Sequence, residues 1–246
     1  MKLFIHIGRY GLLLKKVFGK REKASIYWQR IIEEMEEIGV KSIGLVALMS
    51  LFVGAVITLQ TASNIDNPLI PIYLVGFATR ESIILEFSPT MLSLILAGKV
   101  GSKIASELGN MRISEQIDAI EIMGVNSAGY LIFPKIVAAV ITFPLLIIMS
   151  MTLGMVGGWI VSVGSSLVSS YDYVYGIHYD FKVFNVVYAL VKTLFFAFII
   201  TSVSAYYGYF VKGGSLEVGQ SSTSAVVSSS VVILIVNYLL TQMMLI

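Results

Sequence analysis

Ser42-Ile-Gly-Leu-Val-Ala-Leu-Met-Ser-Leu-Phe-Val-Gly-Ala-Val-Ile-Thr-Leu-Gln-Thr-Ala62 is an uncharged run of 21 residues. As a helix rising about 1.5 Å per residue it covers the roughly 30 Å hydrocarbon core of a bilayer. The rest of the chain has the same character. Hydrophobic residues make up 57% of the 246 and charged residues 13%, with a mean hydropathy of +0.85, which indicates a polytopic membrane protein. Working outward from residue 62, Asn64–Asn67 is polar. Pro68–Thr79 is apolar but too short and too punctuated by proline to cross, so it reads as a loop or interfacial helix outside the membrane. Residues 83–105 give a second span, which carries Glu86 and Pro89. Pro134 opens a third (134–164), 183–210 is a fourth containing Lys192, and 224–245 is a fifth. The Ser-, Tyr- and Asp-rich stretch 165–180 has the aromatic character of an interface, and the Gly- and Ser-rich stretch 212–223 reads as a turn.

The charges are clustered. Nine of the 17 Lys and Arg lie in the first 41 residues, interleaved with Leu12, Leu13, Leu14, Val17, Phe18, Ile26, Tyr27 and Trp28. This suits an N-terminal interfacial helix (1–41) on an anionic membrane surface rather than a nucleic-acid site. No secretory cleavage pattern follows, so this segment is expected to stay in place. Fourteen of the Lys and Arg fall on the N-terminal segment, the 97–135 region and the Lys212 turn, against Arg80 and Lys182 on the other side. The positive-inside rule then predicts a cytoplasmic N-terminus and, after five spans, a C-terminus on the outer side of the membrane. With no cysteine there is no disulfide framework, thiolate metal site or cysteine nucleophile.

Between the second and third spans lies a charged island, Ala97-Gly-Lys-Val-Gly-Ser-Lys-Ile-Ala-Ser-Glu-Leu-Gly-Asn-Met-Arg-Ile-Ser-Glu-Gln-Ile-Asp-Ala-Ile-Glu-Ile-Met-Gly124. Ile113, Ile117, Ile120 and Gly124 recur at helical spacing, with Glu115, Asp118 and Glu121 on a polar side, and Gly124 suits the position after a helix end. Such a helix could rest on lipid headgroups. Three acids beside one Arg112 suit an anionic surface poorly, which favours a groove in a soluble partner.

Glu86 and Lys192 are the informative ionisable residues within spans. They read either as a structural ion pair with a snorkelling lysine, or as a polar mouth for an anionic headgroup. Ala97, Gly101, Ala105 and Gly109, and likewise Gly154, Gly158 and Ser162, are small residues four apart. They permit close helix approach within the chain or between copies. Catalytic constellations are missing: His6 and His178 fall on opposite sides, and Gly98-Lys99 is followed by Val100, so no phosphate-binding loop is completed. The chain reads as a non-enzyme with no cofactor of its own, and any ATP it uses must be hydrolysed by a partner.

The run from Ala97 to Val125 closely resembles the signature AGRxGSxxxAELGxMRxxEQIDALExMGV of the MlaE/YrbE family of ABC-transporter permeases. The resemblance extends to Met35–Ser42, Leu51–Gln60 and Gly213–Val227. It implies a single permease domain over 1–246, a homodimer, two cytoplasmic ABC ATPase subunits and an MCE-domain periplasmic protein. Together these would move phospholipids or related hydrophobic molecules across the envelope of a double-membraned bacterium from its inner membrane. It also implies that the segment around 110–124 is the coupling helix, with Arg112, Glu115, Gln116, Asp118 and Glu121 as ATPase-docking candidates. Glu86, Phe87 and Lys192, together with Leu51, Phe52, Val56, Leu59 and Asn237, become lipid-cavity candidates. Where the family often has Arg-Glu-Leu-Gly-Pro, this chain has Leu85-Glu-Phe-Ser-Pro89, and it has Asn237 where some members carry Asp.

The expected fold is all-α, with five transmembrane helices, an N-terminal interfacial helix and a cytoplasmic coupling helix. Two other readings stay open. One is a channel or secondary transporter using the half-broken 83–98 span, and the other is a scaffold recruiting a soluble enzyme through the island.

Overall fold

Five helical stretches are long and apolar enough to cross a membrane: Tyr27–Ser63, Leu74–Ile113, Ser127–Ser165, Val183–Tyr209 and Ser215–Met244. The computed structural model describes residues 2–19, 24–65, 71–165 and 168–245. Lys20, Arg21 and Lys23 of the basic segment, the 66–70 stretch of the first connection, Ser166 and Ile246 lie outside the described residues. The elements in order are α1 (Lys2–Val17), α2 (Ala24–Ile38), α3 (Ile43–Ser63), α4 (Leu74–Ser82), α5 (Leu92–Leu96), α6 (Ser102–Ile113), α7 (Gln116–Ile122), α8 (Ser127–Ser165), α9 (Ser170–His178), α10 (Val183–Tyr209) and α11 (Ser215–Leu245). Two π-helical segments, Ile83–Met91 and Ala97–Gly101, join α4 to α5 and α5 to α6. The described residues form an all-α protein, as the apolar runs predict.

Several boundaries differ from the sequence reading for identifiable reasons. The N-terminal region is two helices, α1 and α2, rather than one. The second long helix starts at Leu74, so the stretch expected outside the membrane is partly its first turns. The third starts at Ser127 rather than at Pro134, because Asn126 Oδ1 accepts from the Gly129 amide as an N-cap. Pro134 and Pro144 are carried inside it, as membrane helices tolerate. The serines after residue 214 form helix rather than turn. Within the expected turn, Ser221 donates to the Tyr207 carbonyl at 2.8 Å, Ser222 to the Ser102 carbonyl at 3.0 Å and Thr223 to the Gly219 carbonyl at 3.2 Å, which satisfies their hydroxyls without leaving the helix. The chain reverses instead at Gly213, whose φ of +121° excludes most side chains.

The chain divides into two compact units. One comprises Met1–Lys41, Leu94–Phe143 and Leu194–Ile246, and the other Ser42–Ser93 and Pro144–Thr193. In the first unit, α6 packs on α10 and α11. A Cβ on Gly208 would lie 2.6 Å from the Ala105 carbonyl, and one on Gly109 3.0 Å from Val218. Ser222 Oγ donates to the Ser102 carbonyl at 3.0 Å. Lys135 is buried and held by Glu34 Oε1 at 2.5 Å and Glu107 Oε2 at 2.8 Å, which compensates its charge.

In the second unit, Val46, Ser50, Gly54 and Thr58 form the buried stripe of α3. A Cβ at Gly54 would overlap the Gly154 carbonyl, and one at Gly158 would overlap the hydroxyls of Tyr173 and Thr58. Ser50 and Ser88 each meet Ser150 Oγ at 2.9 Å, a polar tie between three helices. The small residues at four-residue spacing are thus consumed by packing within the chain. Arg80, expected in a loop or interfacial helix on the outer side, is buried. It donates to the carbonyls of Ile177 (2.7 Å) and Tyr179 (2.8 Å) and to Glu81 (2.6 Å), closing the C-terminus of α9 with a cation, as the helix dipole favours.

Candidate functional site

The expected coupling helix over 110–124 is not continuous. α6 runs to Ile113, and the chain then breaks at Ser114 and Glu115, the latter left-handed at φ 58°. The seven-residue α7 follows. It ends in a Schellman motif: Gly124, at φ +80°, donates to the Glu121 carbonyl at 2.9 Å, and Val125 donates to the Ile120 carbonyl at 3.3 Å. Gly124 therefore fills the role its position predicts.

The docking candidates separate into two groups. Glu115 and Gln116 are exposed. Arg112 instead reaches across the break to Asp118 at 2.7 Å and fastens α6 to α7. Glu121, though still exposed, is tied down at one oxygen: its Oε1 accepts from Lys16 Nζ at 2.6 Å, Ser127 Oγ at 2.6 Å and Tyr209 Oη at 2.9 Å. One oxygen thereby joins α1, α8 and the end of α10 to α7, while Ile117 is fully buried beneath it. The surface that α7 leaves open is apolar at its tip, with Ile122 88% and Met123 71% exposed. Sequence reasoning passed over these two, although an Ile-Met pair off the apolar stripe just before Gly124 is a visible signal.

The Lys16 ammonium, then the Ser127 hydroxyl, hold the Glu121 carboxyl down to about 2, below the ordinary carboxylate range. The folded value is lowered, so this stabilisation is complete above the unfolded value near 4.5 and disappears as pH falls toward about 2. Thermal unfolding of the purified protein over that acid range should therefore show the wild type losing its advantage over Glu121→Gln. Parallel acid curves for the two proteins would rule this role out.

In the second unit, Glu86 and Lys192 form an ion pair at 3.0 Å. Its construction follows from the π-helical segment Ile83–Met91. Glu86 lies in that segment, and Lys192 Nζ also donates to the Leu85 carbonyl at 3.3 Å. Lys192 also lies 4.5 Å from the Tyr188 ring centroid, and Thr90 Oγ1 donates to Glu86 Oε2 at 3.0 Å. The pair is asymmetric. Lys192 is completely buried and does not snorkel, whereas the Glu86 side chain is 49% exposed. Phe87 lies beside Glu86 and is half-buried, as is Leu51. Phe52, Val56 and Leu59 are exposed along one side of α3. Asn237 is half-buried on α11, in the other unit.

Comparison with known proteins agrees with this architecture. The family model described as Permease MlaE matches residues 31–243. A probable ABC transporter permease protein of Rickettsia bellii (strain RML369-C) is 34% identical over 99% of this chain and 93% of its own length. The protein Trigalactosyldiacylglycerol 1, chloroplastic, of Arabidopsis thaliana is 33% identical over 89% of this chain and 63% of its own. The intermembrane phospholipid transport system permease protein MlaE of Haemophilus influenzae (strain ATCC 51907 / DSM 11121 / KW20 / Rd) is 28% identical over 98% and 92%. Five apolar helices, a short helix with an apolar tip between the second and third, and a family match over most of the chain make this protein a member of the MlaE permease family.

Proposed function

We propose that this chain is the permease subunit of an ABC transporter that moves phospholipids or related hydrophobic molecules across the bacterial envelope, powered by ATP hydrolysed on a separate ATPase subunit. The family match over residues 31–243 carries this reading, and the lipid named in two of the relatives supports the cargo class. The permease works as a homodimer in the inner membrane, N-terminus cytoplasmic and C-terminus periplasmic, with an MCE-domain periplasmic protein as a further partner. The ATPase seats on α7 through Ile122 and Met123, with Glu115 and Gln116 at the rim, while Arg112, Asp118 and Glu121 hold α7 to the rest of the chain. Movement of α7 is passed on through the Glu121 contacts to α1, α8 and α10. On the cargo side, Glu86 with its buried Lys192 counter-ion offers a polar point to a headgroup. Phe87, Leu51, Phe52, Val56 and Leu59 supply apolar wall to acyl chains, and Asn237 is a further candidate on α11.

Mass spectrometry of the complex purified through this chain under mild extraction tests the proposal. Recovery of an ATPase together with phospholipid is the expected result. Sodium- or proton-driven transport by the chain alone would overturn it, and a retained soluble protein without ATPase activity would favour a scaffold.

A further inference from the structure

α1 carries apolar side chains on two sides. Leu13 and Val17 are buried, and Tyr10 Oη is 2.7 Å from Ser202 Oγ, so one side packs on α10. Phe4, Ile5, Ile7 and Leu12 are exposed on a helix that also bears Arg9, Lys15 and Lys16. A helix with outward apolar side chains among basic ones rests at the boundary between acyl chains and headgroups. Beside its first turns lies a groove of about 390 Å³, bounded by α1, the end of α10, the Lys212 turn and the start of α11.

Most polar groups lining the groove are already engaged. Tyr206 Oη is 2.7 Å from His6 Nδ1, Tyr207 Oη is 2.8 Å from Ser228 Oγ, and Ser221 Oγ and Ser224 Oγ donate to helix carbonyls. Glu217 is the one acid among the described lining residues, and its Oε2 accepts the Gly214 amide at 2.8 Å, capping the start of α11. The groups left facing the groove are the Arg9 guanidinium, the Lys212 ammonium and the Gln220 amide, and neither cation has a carboxylate partner among the described residues. Two unpaired cations and an amide donor in one groove at headgroup depth call for a phosphate oxygen.

We propose that this groove binds the phosphate-bearing headgroup of an anionic phospholipid drawn from the leaflet in which α1 lies, held by Arg9 and Lys212 with its acyl chains against the exposed apolar side of α1. None of the cargo candidates belongs to this site, and the inference rests on the membrane character of the chain rather than on ATP-driven transport. The bound lipid would fix α1 against the ends of α10 and α11.

The test is delipidated full-length protein titrated with phosphatidylglycerol in mixed micelles, with bound lipid counted by native mass spectrometry. Arg9→Gln with Lys212→Gln should lose one bound phosphatidylglycerol per chain and weaken that binding about tenfold or more, because two charge-assisted hydrogen bonds are removed. Lys15→Gln with Lys41→Gln makes the same change in charge outside the groove and should leave the count unchanged. Inorganic phosphate at millimolar concentration should not displace the lipid. Equal retention by the two double variants and wild type, or equal loss from both, would overturn the proposal. So would displacement by phosphate alone, which would mark a site for a free anion. Transport failure in a Lys192 variant with this lipid still bound would bear on the cargo assignment only.

Discussion

A permease carrying Ile122→Asp and Met123→Asp is expected to fold, insert and lose its ATPase. The two side chains, the last of α7 and the one that follows it, are highly exposed, and burying a side chain of this size stabilises a contact by about 1.5–3 kcal/mol. Losing even half of their combined contribution weakens docking about 10-fold to 100-fold, and each aspartate introduced must also shed its water at the interface. Folding should be unaffected, because α7 is anchored from its other side by Ile117, by the Glu121 contacts and by the Gly124 motif. Glu115→Ala with Gln116→Ala removes rim groups and should change retention by less than about threefold. The readout is the ATPase recovered per permease after extraction, alongside the thermal midpoint of the permease itself. Wild-type recovery with the double aspartate variant would move the docking surface elsewhere.

What could be read from the sequence follows from what is local. The apolar runs, the amphipathic stripe ending at Gly124 and the cluster of cations before residue 41 are properties of neighbouring residues, and the five helices and the αL turn at Gly124 follow from them. Positions decided by distant partners were not legible. Arg80 counts as an exterior charge until α9, nearly 100 residues later, brings three carbonyls to it. Glu121 lies on the polar side of its helix, and nothing near it in sequence shows that Lys16, Ser127 and Tyr209 all bond its carboxylate. The break in the island hid for a different reason. It turns on a left-handed Glu115, a conformation that composition assigns to glycine or asparagine. The serines of the 212–223 stretch misled because their usual competition with the local backbone is removed by carbonyls of other helices, Tyr207 for Ser221 and Ser102 for Ser222.

Glu86→Gln should destabilise the protein far more than Lys192→Met, although both remove the same ion pair. Lys192 is completely buried, so losing the negative charge leaves an ammonium with neutral partners alone: the introduced amide oxygen, the Leu85 carbonyl and the Tyr188 ring. Removing one partner of a buried pair typically costs about 3–5 kcal/mol. The reverse substitution leaves Glu86, whose side chain is half exposed and, at the proposed polar mouth, is not sealed in protein, while methionine fills the buried volume without a charge. Lys192→Met should therefore lower stability by about 1 kcal/mol or less. The double variant should recover most of what Glu86→Gln loses, since the unpaired buried charge is gone. Denaturation of the purified permease in mixed micelles measures all three, and equal losses for the two single variants would mean that Lys192 reaches water on its own. The same series separates stability from cargo handling. If Glu86 is the polar point that meets a headgroup, Lys192→Met should keep the fold while reducing the phospholipid that co-purifies, because an unneutralised carboxylate repels a phosphate that the pair would tolerate.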